Sequence, residues 1–273
     1  MATIDLKNVS IYYRNKKDII TAVDDVSFSF HDKKINVLIG FSGCGKTSIL
    51  NAISGYILFD GEIYLNNQKI TDIAIQKRNI SYVNQEIVLY PHLTVYDNIA
   101  YPLKLLKLPR EEIDIRVREL ANELEIDFLL SRKPKFLSIG QQQRVAIARA
   151  FAKKPDIILM DEPLSNLDKE TSDEIRNYIR QLIRENNSTC IYVSHNILDA
   201  LNLADTIFVM NEGKLVADLS PEELFIRNKE LVKESHLDLP DVIRIRDYIE
   251  DNFHLNLKEN PMTLDELGGI LNE

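Results

Sequence analysis

The sequence has few cysteines, no long apolar run and no excess of basic charge. Its two cysteines, Cys44 and Cys190, make no disulfide framework, which is typical of a reducing compartment. No apolar run approaches the roughly 20 residues that a bilayer-spanning helix requires. The first residues lack the charged-then-apolar pattern of a signal peptide. We therefore expect a soluble intracellular protein without a membrane span of its own.

Charge and apolar content argue against a nucleic-acid-binding protein, a protein with a polybasic membrane patch and a disordered chain. The formal net charge is −9, which argues against an electrostatic footprint for nucleic acid and against a polybasic membrane patch. Apolar residues make up 45% of the chain, enough for a packed core and too much for wholesale disorder. A chain of 273 residues fits one large domain, or a large and a small one.

Hydrophobic periodicity predicts an α/β protein with a helical insertion. In the first third we predict a helix at 46–54 and strands at 4–9, 26–30, 35–39, 61–65 and 80–83, the last two as a pair. Between about Tyr96 and Leu130 the period changes to 3.6 with many charges, which predicts an inserted helical subdomain. Strands at 157–160, 189–193 and 206–210 then alternate with helices near 170–185 and 197–203. This alternation is typical of a mainly parallel, helix-covered sheet.

The first chemical motif is a phosphate loop. Residues Gly40-Phe41-Ser42-Gly43-Cys44-Gly45-Lys46-Thr47 match G-x-x-x-x-G-K-[ST] between a buried strand and a helix. The glycines let the backbone wrap a phosphate, with the helix N-terminus behind it. Lys46 can reach the β- and γ-phosphates, and the Thr47 hydroxyl can bind Mg²⁺. The motif predicts these nucleotide-binding residues: Gly40, Ser42, Gly43, Cys44, Gly45, Lys46, Thr47 and Ser48.

An apolar strand that ends in two acidic residues predicts the other half of this site. The strand at 157–160 leads directly into Asp161 and Glu162. A strand of this kind delivers its carboxylates to the sheet edge beside the phosphate loop, where Asp161 could hold Mg²⁺. Glu162 would then be placed to polarise an attacking water. Alone, the pattern is common at solvated strand ends; together with the phosphate loop it indicates a hydrolytic site.

A second motif lies at Leu137-Ser138-Ile139-Gly140-Gln141. With it the chain resembles the ABC transporter ATPase family, whose signature motif is usually Leu-Ser-Gly-Gly-Gln. A Ser and a Gly at a helix start make a second anion-binding N-terminus. In that family the motif contacts the γ-phosphate of ATP held by the opposite subunit. The resemblance therefore implies a dimer and assigns Ser138, Gly140 and Gln141 to nucleotide binding. Ile139 departs from the usual Gly, but the phosphate-facing pair is kept, so we expect a working motif.

Other positions match the family's motifs in the family's order. Gln85 resembles the glutamine that contacts Mg²⁺ and water and senses the membrane subunits. His195 resembles the switch histidine that contacts the γ-phosphate. Asp168 resembles the loop aspartate that couples the two ATP sites, although by itself it would be an N-cap for the following helix. Tyr13 resembles the aromatic residue that stacks on adenine, with Tyr12 as the neighbouring alternative.

The resemblance covers about residues 3–225 and implies the family's fold. We expect an ABC ATPase domain at 1–225, with a phosphate-loop α/β core, an N-terminal antiparallel β subdomain and a helical subdomain at about 90–150. Residues 226–273 would form a helical C-terminal extension. The implied cofactors are ATP and Mg²⁺. The implied catalytic residues are Lys46, Gln85, Glu162 and His195, and the implied metal ligands are Thr47, Gln85 and Asp161.

The resemblance implies an ATP-hydrolysing subunit at the cytoplasmic face of a membrane, paired with a second ABC ATPase subunit. Because the sequence has no span, the permease subunits would be separate chains, an arrangement commoner among importers. Residues 90–99 resemble maltose-type importer ATPases, so permease docking near Gln85–Ile99 is expected; a buried aromatic turn is the alternative. The tail resembles that of energy-coupling-factor importers: Leu237–Pro240, a helix over about Asp241–Asn252, and a capping box at Thr263–Glu266.

Two other classes of protein carry some of these motifs. A non-transport ABC ATPase of DNA maintenance or translation is the alternative, although Thr47 and Leu137 lie only 90 positions apart, too few for the long coiled coil of DNA-maintenance members. A non-hydrolysing nucleotide binder is disfavoured because the sequence has all four of Lys46, Asp161, Glu162 and His195. No nucleic-acid partner is expected.

Overall fold

Two β-sheets and a set of helices build the fold in the computed structural model, which describes residues 3–14, 18–253 and 260–271. The strands are β1 (Ile4–Arg14), β2 (Ile19–Phe30), β3 (Ile35–Ile39), β4 (Asp60–Leu65), β5 (Gln68–Lys69), β6 (Ile80–Val83), β7 (Ile157–Asp161), β8 (Thr189–Ser194), β9 (Thr206–Asn211) and β10 (Lys214–Leu219). The α-helices are α1 (Lys46–Ser54), α2 (Val95–Leu105), α3 (Arg110–Glu123), α4 (Ile139–Phe151), α5 (Lys169–Asn186), α6 (Ile197–Leu203), α7 (Lys229–Glu234), α8 (Asp241–Phe253) and α9 (Leu264–Leu271). None of the helices in the described ranges combines the length and the apolar character that a bilayer crossing demands.

The larger sheet has the strand order β10-β9-β3-β8-β7-β6. Its strands are parallel except β10, which pairs antiparallel with β9. Every residue of β3, β7 and β8 is buried, as expected for parallel strands covered on both faces. Because Ile39 pairs with Ser194 and Asp161 with Val193, the ends of β3, β7 and β8 meet at one edge of the sheet.

Alternate residues of these strands enter two separate cores. Leu38, Leu159 and Ile191 pack with α1 and the antiparallel sheet. Met160 and Tyr192 point to the opposite face, where they join a core built with the other helices. This division follows from the period of two residues along a strand. The mixed α/β fold with an antiparallel subdomain is therefore the predicted one.

The smaller sheet has the order β2-β1-β4-β5 and is antiparallel. The prediction that the strands at 61–65 and 80–83 form a pair is wrong. In the structure Ile63 pairs with Leu6 of the antiparallel sheet, whereas Ile80 pairs with Ile157 of the parallel sheet. The physical reason is that β4 returns through the Asn66–Asn67 turn to pair with β5, and β6 then completes the parallel sheet beside β7.

The helical insertion lies where the change of period predicted it. Thr94 caps α2 by accepting a hydrogen bond from the N–H of Asp97 at 3.1 Å. Helix α3 buries the stripe Ile113, Val117 and Leu120, which have the spacing of one helix face. Helix α4 packs against α2, α3 and the edge strand β6, and its N-cap Ser138 is exposed.

The tail packs on the main core. Thr263 and Glu266 bond reciprocally, as the capping-box pattern predicts, and Ser220 and Glu223 form the same pair of bonds. The tail also contains α7, which was not predicted, before the expected helix α8. The apolar residues that join the main core are Leu224, Phe225, Val232, Val242, Ile243 and Leu267. The division into domains at residue 225 and the resemblance to energy-coupling-factor tails stay predictions.

Candidate functional site

The phosphate loop joins β3 to α1 and is closed around a buried lysine. Lys46 is 5% exposed, and its Nζ donates hydrogen bonds to the carbonyl oxygens of Gly40 at 2.8 Å and Phe41 at 3.0 Å. Gly45 has φ +102°, and a Cβ there would lie 2.3 Å from the carbonyl oxygen of Ala22, so only glycine fits. No side chain caps the N-terminus of α1. Its first N–H groups therefore point at the loop's concave side, ready for an anion.

A buried carboxylate faces this loop from the end of β7. Asp161 Oδ1 accepts a hydrogen bond from Thr47 Oγ1 at 2.9 Å, and Oδ2 accepts one from the Tyr82 hydroxyl at 3.3 Å. Burial raises the pKa of Asp161 above its ordinary value, an effect that the hydrogen bond from Thr47 partly offsets. A hydroxyl and a carboxylate oxygen in direct contact beside a phosphate loop are the donor types that Mg²⁺ prefers, so these residues fit the ion.

Two side chains, those of His195 and Gln85, converge on Glu162 at the same edge. The N–H of Glu162 donates to the carbonyl of Val193 at 3.0 Å, which ties the start of its loop to β8. Its Oε2 lies 2.8 Å from Nδ1 of His195 and 3.4 Å from Nε2 of Gln85. Glu162 adopts φ +44°, which is uncommon for a residue with a side chain and recurs at functional sites. The structure thus brings together the glutamate, histidine and glutamine that the sequence singled out.

These groups line one cleft of about 550 Å³ together with the phosphate loop. Tyr13 lies in its wall, with its hydroxyl 3.1 Å from Oγ of Ser48 and its ring 41% exposed. Tyr12 is not among the lining residues, because neighbouring residues of a strand point to opposite faces. The lining residues are Tyr13, Ile20, Thr21, Ala22, Ser42, Gly43, Gly45, Lys46, Thr47, Ser48, Gln85, Glu162 and His195.

The signature residues line a different cleft, of about 530 Å³. Ser138 caps α4 by accepting from the N–H of Gln141 at 3.2 Å, and Gln141 Oε1 accepts from the N–H of Ser138 at 3.1 Å. Asp168 lines the same cleft and caps α5 through the N–H of Thr171 at 2.9 Å. That hydrogen bond lowers the pKa of Asp168. Within one chain, therefore, Ser138, Gly140 and Asp168 do not face the phosphate loop.

Sequence reasoning missed several polar residues beside the site. Tyr82 was placed only in a strand, yet its hydroxyl bonds to Asp161. Its position two residues ahead of the loop of Gln85 was the available signal, because a strand's last residues reach the edge of the sheet. Arg176 and Asp199 form a buried ion pair behind His195. Neither lies in a motif, and both are charged residues in helices that were predicted only as cover for the parallel sheet.

Comparison with known proteins gives consistent matches. The model of the "ABC transporter" family matches residues 23–165. The trehalose/maltose import ATP-binding protein MalK of Thermococcus litoralis is 46% identical over 213 residues, which cover 76% of this chain and 57% of that protein. The oligosaccharides import ATP-binding protein MsmX of Bacillus subtilis is 41% identical over 226 residues, covering 82% of this chain and 61% of that protein. The chain thus spans less than two thirds of the length of these relatives.

A solved structure also matches the chain. The ATP-binding cassette MJ0796, in a dimeric post-hydrolysis state bound to ADP and Pi, superposes with a TM-score of 0.72. The two chains are 33% identical, and the match covers 80% of this chain and 98% of MJ0796. At this identity and coverage the similarity includes nearly the whole MJ0796 chain.

Proposed function

The chain belongs to the ABC transporter family, and we propose that it is the ATP-hydrolysing subunit of an importer, working at the cytoplasmic face of a membrane. The observation that carries the proposal is the meeting of Lys46, Asp161, Glu162 and His195 in and beside one cleft at the edge of the parallel sheet. The relatives reported above are named as import ATP-binding proteins, which supports import rather than a role in DNA maintenance or translation.

ATP binding would use the phosphate loop first. The exposed N–H groups at the start of α1 and the ammonium group of Lys46 would take the β- and γ-phosphates. Tyr13 would stack on the adenine. Thr47, Asp161 and Gln85 would hold Mg²⁺, which neutralises phosphate charge when it is bound.

Hydrolysis needs positioning and charge stabilisation more than covalent chemistry. Glu162 would accept the proton of the attacking water on a carboxylate oxygen. The contact of His195 Nδ1 with Glu162 Oε2 at 2.8 Å supports this role, because it orients the carboxylate at the mouth of the cleft. His195 is the more exposed of the two side chains, 58% against 18%, and would contact the γ-phosphate. Gln85, 3.4 Å from Glu162, would help to hold the water.

We propose that a second ABC ATPase subunit, identical or homologous, completes each ATP site. Ser138, Gly140 and Gln141 line a cleft of their own, with Asp168 on its wall, so a partner subunit is needed to bring them to a γ-phosphate. The dimeric state of MJ0796 bound to ADP and Pi supports this arrangement. The ATPase unit would be residues 1–225, and residues 226–273 would be an extension of it.

We propose that separate permease subunits dock near Gln85–Ile99. Val88 in this segment is 55% exposed, so an apolar side chain is available to a partner. Arg149 of α4 donates to the carbonyl of Val88 at 2.6 Å, and its guanidinium lies 5.4 Å from the ring centre of Tyr90. A permease helix that moves this segment would therefore act directly on the helix that begins at Ser138.

The proposal is tested in two steps. Purified protein should hydrolyse ATP in the presence of Mg²⁺, Lys46→Ala should lower the rate at least about 100-fold, and Lys77→Ala, an exposed lysine outside the cleft, should not. Material isolated from its native membranes in mild detergent should then contain integral membrane proteins by mass spectrometry. No hydrolysis in the wild type would contradict the assignment as an ATPase. Recovery from the native membranes with no integral membrane protein would contradict the assignment to an importer.

A further inference from the structure

A buried ion pair lies behind the catalytic edge of the sheet. Arg176 of α5 donates from Nε to Oδ1 of Asp199 in α6 at 2.8 Å, and the two side chains are 7% and 5% exposed. Arg176 also bonds to Asp173, which lies half exposed on its own helix. A carboxylate is kept ionised at such a depth only by a partner of opposite charge and by further hydrogen bonds. The further bonds of Asp199 lead to His195.

The second carboxylate oxygen of Asp199 bonds to the residue before His195 and, through that residue, to the one after it. Oδ2 accepts the hydroxyl of Ser194 at 2.7 Å and the hydroxyl of Tyr192 at 3.3 Å. Oγ of Ser194 in turn accepts the N–H of Asn196 at 2.9 Å. Ser194 and Asn196 are the two neighbours of His195. One buried carboxylate therefore fixes the backbone before and after it, through hydrogen bonds that its charge strengthens.

The same pair connects the histidine to the loop that carries Glu162. Helix α5 starts at the cap Asp168, at the end of the loop that follows Glu162. The ion pair joins α5 to α6, which starts just after His195. A cavity of about 310 Å³ between the two loops is lined by Glu162, Ser165, Arg176, Ser194, His195 and Asp199 among others. Because His195 is itself exposed, its placement depends on these flanking contacts.

We propose that Asp199 is a positioning residue for the hydrolytic reaction. Acting through Ser194, it holds the turn of His195 so that Nδ1 stays within hydrogen-bond distance of Glu162. The role of this contact in ATP hydrolysis rests on the function proposed above. Arg176 compensates the charge of Asp199, and thereby couples the geometry of the histidine to the loop between Glu162 and Asp168.

Ser194→Ala is the cleanest perturbation. It removes the hydroxyl between Asp199 and the N–H of Asn196 but leaves the ion pair in place, so the fold should survive. Ser188→Ala is the matched control: Ser188 is also a fully buried serine, just before the other end of β8, and its hydroxyl donates to the carbonyl of Pro155. Ser194→Thr restores the hydroxyl and should retain activity.

Three measurements in the full chain separate positioning from general destabilisation. We expect Ser194→Ala to lower kcat by about 10- to 100-fold with KM for ATP changed less than about twofold. Hydrogen–deuterium exchange should be faster at the Asn196 amide in this variant and unchanged there in Ser188→Ala. Added to His195→Ala, the Ser194→Ala change should cause no further loss, because both act through one group.

Specific results would overturn the proposal. A kcat that is unchanged in Ser194→Ala, an unchanged exchange rate at Asn196, or additive losses in the double variant would each do so. Absence of ATP hydrolysis in the wild type would instead overturn the proposed function, and the exchange measurement would still decide whether Asp199 and Ser194 hold the turn.

Discussion

Asn98 is a fully buried side chain that holds the segment we propose as the permease dock. Its Oδ1 accepts the N–H of Tyr90 at 2.8 Å, and its Nδ2 donates to the carbonyls of Tyr90 at 3.1 Å and Thr94 at 2.9 Å. These three bonds close the turn from Tyr90 to Thr94 onto the start of α2. The substitution Asn98→Ala removes all of them without adding bulk.

The expected cost follows from the number of bonds. A hydrogen bond of this kind contributes about 1 kcal/mol net, so three of them give a loss of about 3 kcal/mol in the free energy of unfolding. For a chain of this size 1 kcal/mol corresponds to about 2 °C in Tm, and the melting temperature should fall by about 6 °C. Basal ATP hydrolysis should change little, because Asn98 does not line the phosphate cleft.

The assay is thermal unfolding combined with permease binding. Asn122→Ala is the matched control, because Asn122 is an exposed asparagine on α3 and its change should cost less than about 0.5 kcal/mol. Asn98→Ala should also weaken the co-purification of membrane partners, since it releases the turn that we propose as their dock. A Tm equal to that of Asn122→Ala would refute the reasoning, because it would show that the three bonds contribute no net stability.

Further predictions concern three residues in and beside the nucleotide cleft. Burial raises the pKa of Asp161 above its ordinary 3.8, so Mg²⁺-dependent ATP affinity, measured by titration, should weaken as the pH falls through that raised value. With a raised pKa, the folded chain binds the carboxyl proton of Asp161 more readily than the unfolded chain does. The free energy of unfolding of the nucleotide-free chain should therefore rise as the pH falls from the raised pKa toward 3.8, and Asp161→Asn should remove this pH dependence. Tyr13→Ala should weaken ATP binding about tenfold in a fluorescence titration, whereas Tyr12→Ala, outside the cleft, should not. Gly45→Ala should abolish nucleotide binding, because its φ is +102° and the new Cβ would meet a backbone oxygen of β2. Gly269→Ala, at an exposed position of α9 where an added Cβ meets no atom within 4 Å, should be tolerated.

The elements that the sequence predicts best are those with a continuous apolar pattern. Strand β3 and helix α1 have the predicted bounds, since a buried strand must be apolar throughout and the phosphate loop marks where it ends. Which strands pair with each other is less predictable from the sequence than where each strand begins and ends. The short strands β4 and β6 follow each other along the chain, but which sheet each joins depends on partners far away in the sequence.

Strand β10 shows a signal that was present but not used. Its residues alternate in exposure, and it follows the turn Glu212–Gly213 directly after β9, which is typical of a hairpin. Helix α7 has only six residues, too few for periodicity to identify it.

The residues of the candidate site that lie in a sequence motif could be predicted. Those that reach the site only through tertiary packing could not. Lys46 and Glu162 belong to recognisable patterns. Asp199 sits in the first turn of a helix, a position typical of an exposed acid. Its burial depends on Arg176, 23 positions earlier, which only the packing of α5 against α6 brings within reach. Likewise, the separation of Ser138 from the phosphate cleft is a property of the fold that the signature motif alone does not reveal.

The central claim, that two chains complete each ATP site and that Glu162 drives hydrolysis, is tested most directly by sedimentation velocity of Glu162→Gln. Without nucleotide this variant should sediment as a monomer, and with ATP and Mg²⁺ it should form a stable dimer and show no steady-state turnover. A monomer at saturating ATP would contradict the shared site, and undiminished hydrolysis would contradict the assignment of Glu162 as the base.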